Sequence, residues 1–488
     1  MADRSLPDRP DLDQYKKQAK ELVKAARAGD ADALARVRAH HPRPPDAAPR
    51  LADAQLAIAR EHGCESWPRF IREIEARLGN QSPRAVWQAA ERALEAGDAD
   101  ALDRLLREHG TMLRKGPVRT SWLGGLRPDF SPADVKSIVA SNHEFDTWDQ
   151  FAAFAEARRL PGSPVARFEE AVDAIVRGDI DALKRLLGQR PDLIRARSMR
   201  KHHSNLLHYV GANGVEGFRQ RTPKNAVQVL EALLDAGADV DAKADMYGGS
   251  TTVGLVATSI HPQNAGVQDD LIDVLIAHGA HIDGQGAGGG AANLINSCLA
   301  NARPGAAEYL ARRGAPIDLE GAAGLGRLDL VRQFFDGAGQ LANGATATQM
   351  KDGFSWACEY GRTEVVEFLL ARGLDVGARL RPHQQTGLHW AAYGAHVETV
   401  KALLRHRPPM DLRDESFDGT PLEWALYAWG TTPNRHERHG CYEVAALLAA
   451  AGAALDPKWL DADEDRGFPL GEWVRADPRM QAALAGRL

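Results

Sequence analysis

One phrase recurs through most of this chain: LLDAGADVD, LIAHGAHID, LARRGAPID, LLARGLDVG, LLRHRPPMD and finally LAAAGAALD. Each copy reads the same way. Apolar residues end a helix, a glycine takes the left-handed position just past it, and a turn through aspartate leads to the next unit. The glycines of this step are Gly237, Gly279, Gly314, Gly373 and Gly452. A short helical unit repeated at a fixed period cannot bury its apolar face alone. It must stack on its neighbours, and that excludes an ordinary globular fold over this stretch.

A second self-similarity lies upstream. LVKAARAGDADALARVRAHHP, AAERALEAGDADALDRLLREHG and AVDAIVRGDIDALKRLLGQRP share Gly-Asp-x-Asp-Ala-Leu, with glycines at Gly29, Gly97 and Gly178. Each predicts a helix, a glycine stop, an aspartate N-cap and a second helix. HGCESWPRFIREIEARL and HEFDTWDQFAAFAEARRL align Trp67 with Trp148 and Phe70 with Phe151. The expected organisation is a helical module at 1–82, its second copy at 83–165, a repeat array at 166–460 and a C-terminal capping segment at 461–488.

The 488 residues carry a net charge of −6, are 44% hydrophobic and 26% charged. That balance suits a folded soluble chain and argues against a dedicated nucleic-acid or anionic-membrane binder. The four cysteines form no CxxC pair, so a reducing cytoplasm is expected. The charged N-terminus has no apolar signal region, and VAALLAAAGAAL is too short to span a bilayer.

GTPLEWA and TGLHWAA, followed by VETVKALL and LLARGLDV, resemble the ankyrin repeat, a unit of about 33 residues opened by Thr-Pro-Leu-His-x-Ala. The resemblance implies an all-α ankyrin-repeat solenoid, helix pairs joined by short β-turns, preceded by a helical N-terminal capping region. The layout as a whole resembles a group of bacterial ankyrin-repeat proteins with an IAREHGCESWPRF-like segment and blocks like NGVEGFRQRTP. Departures are visible. The copy from Gly289 to Asp318 lacks the usual opening, and GAAGLGRLDLVRQFFDG is shortened.

The resemblance implies a groove lined by first helices and turn tips, where an unidentified protein partner binds. His208 and His389 hold the histidine place, where the family uses the ring to bond backbone between units; Glu423 replaces it in the last copy. Trp356, Trp390 and Trp424 follow that place in three successive units and are expected to pack between repeats. Tyr360, Tyr393 and Tyr427 fall nearer the groove and are the expected binding residues.

The alternative is an enzyme or small-ligand receptor built from three enlarged helix connections at 211–225, 257–270 and 428–441. YGGSTT supplies Tyr247, Ser250, Thr251 and Thr252 at a helix start; with Arg219, Arg221 and His261 it would favour a small anionic ligand. A plain turn and cap explains the same residues. Catalytic residues are unassigned. No cofactor is expected: GQGAGGGAA lacks the strand that a dinucleotide fingerprint needs. No metal is expected, because His436, His439 and Cys441 fit no zinc spacing. Acidic EFDTWDQF, where its duplicate outlines a helix-turn-helix, argues against nucleic acid.

Overall fold

The structure is a computed structural model. It describes residues 12–40, 49–78, 89–90, 92–93, 96–114, 132–211, 216–247, 249–282, 293–381, 383–431, 438–460 and 470–487. The chain forms two compact units, Met1–Val139 and Ala140–Leu488. The division falls inside the segment expected to be the second module copy.

In the first unit, helices Leu12–Arg27, Ala31–His40, Leu51–Glu61 and Trp67–Leu78 pack around Ala19, Val37, Ile58, Phe70 and Ile74. The sequence signal at the first turn is realised as read. Gly29 takes φ +87°, and the Asp30 carboxylate accepts the Ala33 N–H at 2.9 Å. Asp98 caps helix Ala99–Arg114 in the same way. Phe70 stacks on His62 with centroids 5.2 Å apart and lies 5.5 Å from Trp67. In the second unit Phe151 makes the same pair of contacts, 5.0 Å from His143 and 5.3 Å from Trp148.

The second unit is an array of helix pairs. Its first-helix series runs Thr252–Thr258, Leu294–Ala300, Leu319–Leu325, Ala347–Glu359, Gly387–Tyr393 and Pro421–Thr431. Leu206–Val210, a 3-10 turn, stands at the head of that series. The second-helix series includes Ala226–Asp235, Gln268–Ala277, Pro304–Arg312, Thr363–Ala371, Val397–Arg405 and His439–Ala450. Each series packs on itself along the array, so the pairs form two layers. The core between them is built from two apolar clusters, one from Phe168 to Leu325 and one from Leu319 to Ala483. At the far end, Pro478–Leu484 packs on His439–Ala450, where Tyr442 donates to Asp477 at 2.8 Å.

The glycines of the recurring step sit at φ between +88° and +95°, for example +89° at Gly237 and +88° at Gly373. A Cβ there would meet nothing within 4 Å. Backbone conformation, not space, therefore selects glycine at these positions. LLRHRPPMD lacks the glycine, and Arg407 takes the same step at φ +51°.

Among the described residues there is no strand, only isolated bridges at turns such as Ala244–Ser250 and Leu380–Gln385. The shortened copy is short in space too, with Leu328–Val331 a single turn. No described helix is long and apolar enough to cross a membrane.

Candidate binding surface and buried charge cluster

The histidine place works as expected. The Nε2 of His208 meets the Ala242 carbonyl at 2.9 Å and that of His389 meets the Gly419 carbonyl at 3.1 Å, each reaching the next turn. Each Nδ1 accepts a backbone N–H, from Asn205 and Thr386. An Nδ1 that accepts leaves the proton on Nε2, so both rings are neutral donors. Burial pushes both down to about 4. Glu423 cannot donate, and its surroundings are inverted to match. Its carboxylate accepts the Thr420 N–H at 2.7 Å and the Asp456 N–H at 3.2 Å, and Arg413 approaches at 3.4 Å.

The three tryptophans are not equivalent. Trp390 and Trp424 meet edge to face at 5.3 Å and 81°, a direct contact between neighbouring units. Trp356 instead donates to Glu320 at 2.9 Å. Trp424 donates to Asp414 at 2.9 Å. All three are buried or half-buried, as packing between repeats requires.

The three tyrosines divide. Tyr360 is not a surface residue. It ends its helix half-buried, and its hydroxyl donates to the Leu299 carbonyl at 2.5 Å. The reason is local. Tyr360 follows its tryptophan by four residues where Tyr393 and Tyr427 follow theirs by three, which sets its side chain about 100° further round the helix. Tyr393 and Tyr427 are 39% and 40% exposed. Tyr393 is the single exposed residue of Gly387–Tyr393, and on Pro421–Thr431 Tyr427 is joined only by the terminal Thr431. Sequence reasoning missed a third ring. Phe417, at the turn tip ESFDG, is 68% exposed. Its centroid and that of Tyr393 lie 6.0 and 5.8 Å from Trp424, so they flank one indole. An aromatic inside an otherwise polar turn was the available signal.

Two of the three enlarged connections touch. Nε2 of His261 lies 3.1 Å from the Gln220 side-chain oxygen. The second connection is ordered by a short helix, Ile260–Ala265, and by the Gln268 amide, which donates to the Val256, Ala257 and Ser259 carbonyls. The described part of the third returns to its own neighbourhood, with Arg438 donating to the Ala428 and Tyr393 carbonyls.

The anion arrangement is not assembled. Arg219 turns inward, with its guanidinium 2.9 Å from Glu169 and 3.5 Å from Asp173, close on Glu216, and 5.2 Å over the Tyr209 ring. Arg221 donates to the Val176 carbonyl. Both guanidiniums are held by acceptors that the preceding helix presents, so they are not offered to YGGSTT. There Thr251 accepts the Gly254 N–H, Ser250 donates to the Met246 carbonyl and Thr252 is buried, the arrangement of a turn and cap. Tyr247 is 58% exposed, at φ +50°.

What Arg219 joins is a buried charge cluster that sequence reasoning did not find. Glu169, Arg200, His202 and Glu216 are all 5% exposed or less. Arg200 donates to both Glu169 oxygens at 2.7 and 3.3 Å, and its guanidinium lies 4.6 Å over Phe154. Glu216 accepts from Tyr209 at 2.7 Å and pairs with His202 at 3.0 Å. Burial pushes Glu216 up, but the His202 hydrogen bond and the charges of Arg200 and Arg219 outweigh it and hold the carboxyl below its usual range. The adjoining cavity, lined by Ser204, His208, Tyr209, Glu216, Arg219 and Gln220 among others, measures about 40 Å³. That is room for a water or two, and the buried Ser204 hydroxyl has no partner there among the described residues.

Of the other candidates, Cys441 is a buried free thiol, and His439 Nδ1 lies 2.5 Å from the Arg479 guanidinium. Residues 283–292, with the glycine-rich tip, and 432–437, with His436, lie outside the described residues.

Residues 354–458 match the family model for ankyrin repeats, in three copies. Among solved structures, the ankyrin repeat domain of human ASB11 is similar at 19% identity and a TM-score of 0.29, over 59% of this chain and 99% of that one. No curated protein matches. The chain carries ankyrin repeats, in the all-α architecture with a helical N-terminal region expected from the sequence.

Proposed function

We propose that the chain binds a partner protein along the face formed by its first helices and turn tips. Ankyrin repeats are in general protein-interaction modules. One observation carries the reading to particular residues. On two successive first helices, otherwise sealed into the core, exposed tyrosines stand at the same repeat position, Tyr393 and Tyr427. Tyrosine offers a large, stiff contact with a polar end, the profile of an interface anchor.

The test compares affinity capture by the native chain with capture by Tyr393→Ala and Tyr427→Ala. A specific partner should be lost or reduced at least tenfold with each variant while thermal stability barely moves. Equal capture by all three chains sinks the assignment.

The remaining expectations belong with this reading. The matched ring geometry around Phe70 and Phe151 supports a duplicated N-terminal module. Four buried free thiols support a reducing, cytoplasmic setting, as in the bacterial proteins that the sequence resembles.

A further inference from the structure

From the exposed rings and their charge surroundings we infer that the partner presents an arginine, which docks between Tyr393 and Phe417 beside the tip carboxylates. The inference rests on the partner-binding reading and adds the chemistry of the contact.

The first observation is how this chain treats its other rings. Arg200 lies over Phe154 at 4.6 Å, Arg219 over Tyr209 at 5.2 Å, Arg372 over Phe368 at 4.8 Å and Arg479 over Tyr442 at 4.4 Å. A guanidinium over a ring face gains quadrupole attraction and flat stacking contact. Among the described residues no cation lies over Tyr393 or Phe417, although both rings are exposed, at 39% and 68%.

The second observation is charge. Around this turn stand the carboxylates of Asp414, Glu415, Asp418, Glu423 and Asp456, against the guanidiniums of Arg379 and Arg413. Arg413 is divided among Asp418, Glu423 and Asp456. Arg379 is held by the Gln384 and Arg413 carbonyls. Asp414 is buried, its oxygens accepting the backbone N–H groups of Ser416, Phe417 and Gly419 and the Trp424 indole. The four consecutive tip residues Glu415, Ser416, Phe417 and Asp418 are all exposed and include two carboxylates and no cation. The negative excess therefore stands at the rings and faces solvent. An arginine satisfies both features at once: its plane covers a ring and its edge reaches a carboxylate. A phosphate-bearing partner would be repelled.

The experiment titrates the full chain with a fluorescein-labelled peptide of four arginines spaced by Gly-Ser, read by anisotropy. Tetralysine and tetraglutamate peptides of the same design are the comparators. Saturable binding of the arginine peptide is expected, at least threefold tighter than lysine, with none for glutamate. Phe417→Ala and Tyr393→Ala should each weaken it about tenfold. Glu415→Gln with Asp418→Asn should weaken it severalfold at low salt and little at high salt. No saturable binding, equal binding of lysine, or binding untouched by the ring variants would overturn the inference. If the captured partner still depends on Tyr393 and Tyr427 while the arginine peptide fails, the surface stands and the arginine is wrong. If both fail, the partner-binding reading falls with it.

Discussion

The two ends of the repeat array use their costly residues in opposite ways. Around Pro164–Arg177, four ionisable groups are buried and each is answered from within the chain: Glu169 by Arg200 and Arg219, Glu216 by His202, Tyr209 and Arg219. Around Gly387–Tyr393 and Pro421–Thr431, three large rings are left exposed, and on the acidic tip beside them Glu415 and Asp418 face solvent, with Asp418 sharing Arg413 with two other carboxylates. The charged end looks more like a site in a list of residue types, but its charges pair with one another and its cavity is water-sized. The aromatic end looks like ordinary repeat packing, but it keeps Tyr393, Tyr427 and Phe417 exposed. What a region leaves exposed says more about binding than what it contains.

The comparison is broken most directly at the charged end. Arg200→Met takes from buried Glu169 one of its two guanidinium partners and leaves Arg219 shared between two buried carboxylates, and loss of one partner from a buried ion pair costs about 3–5 kcal/mol. Urea unfolding should show a loss of this size. A loss under about 1 kcal/mol would mean that the cluster is open to water and available to a ligand.

The next effect is acid sensitivity. His208 and His389 stay neutral in the fold down to about 4, whereas an unfolded imidazole takes its proton near 6.5. Between those values the unfolded chain binds more protons, so stability falls as pH falls, by about 3 kcal/mol for each ring at the limit. The midpoint in urea should drop steeply between pH 6.5 and 4. A flat profile would place these rings in contact with solvent.

Glu359 shows the opposite dependence. Burial raises its carboxyl to about 7, above its ordinary value, and Oε2 has no partner among the described residues. The fold holds this proton where the unfolded chain has lost it, so the contribution is full below about 4.5 and is lost as pH rises through 7. Glu359→Gln should stabilise the chain by roughly 1 kcal/mol at pH 8, after allowance for partial exposure, and not at pH 4.5. An equal effect at both values would rule out the carboxyl's ionisation as the cause.

The smallest stability change belongs to the aromatic end. Tyr393→Ala and Tyr427→Ala should shift unfolding by about 0.5 kcal/mol, the scale of a surface substitution. Losses of several kcal/mol would make these rings glue, and the contrast between the two ends would close.

Much of this was legible in advance. The Gly-Asp-x-Asp-Ala-Leu phrases placed turns and caps at Gly29 and Gly178, because a left-handed glycine and an N-cap aspartate are local devices. The histidine place predicted the bonds of His208 and His389, because the repeat brings the same carbonyl to each. Tyr393 and Tyr427, placed near the groove by their repeat position, are exposed in the fold. Tyr360, placed with them, is half-buried, because it follows its tryptophan by four residues instead of three and so stands further round its helix.

By itself, the sequence determined the period, the helix pairs and the left-handed steps, and its resemblance to the ankyrin repeat gave the backbone-bonding histidines. All of these depend on neighbours a few residues away or one repeat along. Only the tertiary structure decided that Glu169, Arg200, Glu216 and Arg219 share one buried cluster and that Phe417 stands beside Tyr393 on one indole. Those contacts join residues whose separations follow no period. Burial, the absence of water and the matching of charges exist there only once the units have stacked.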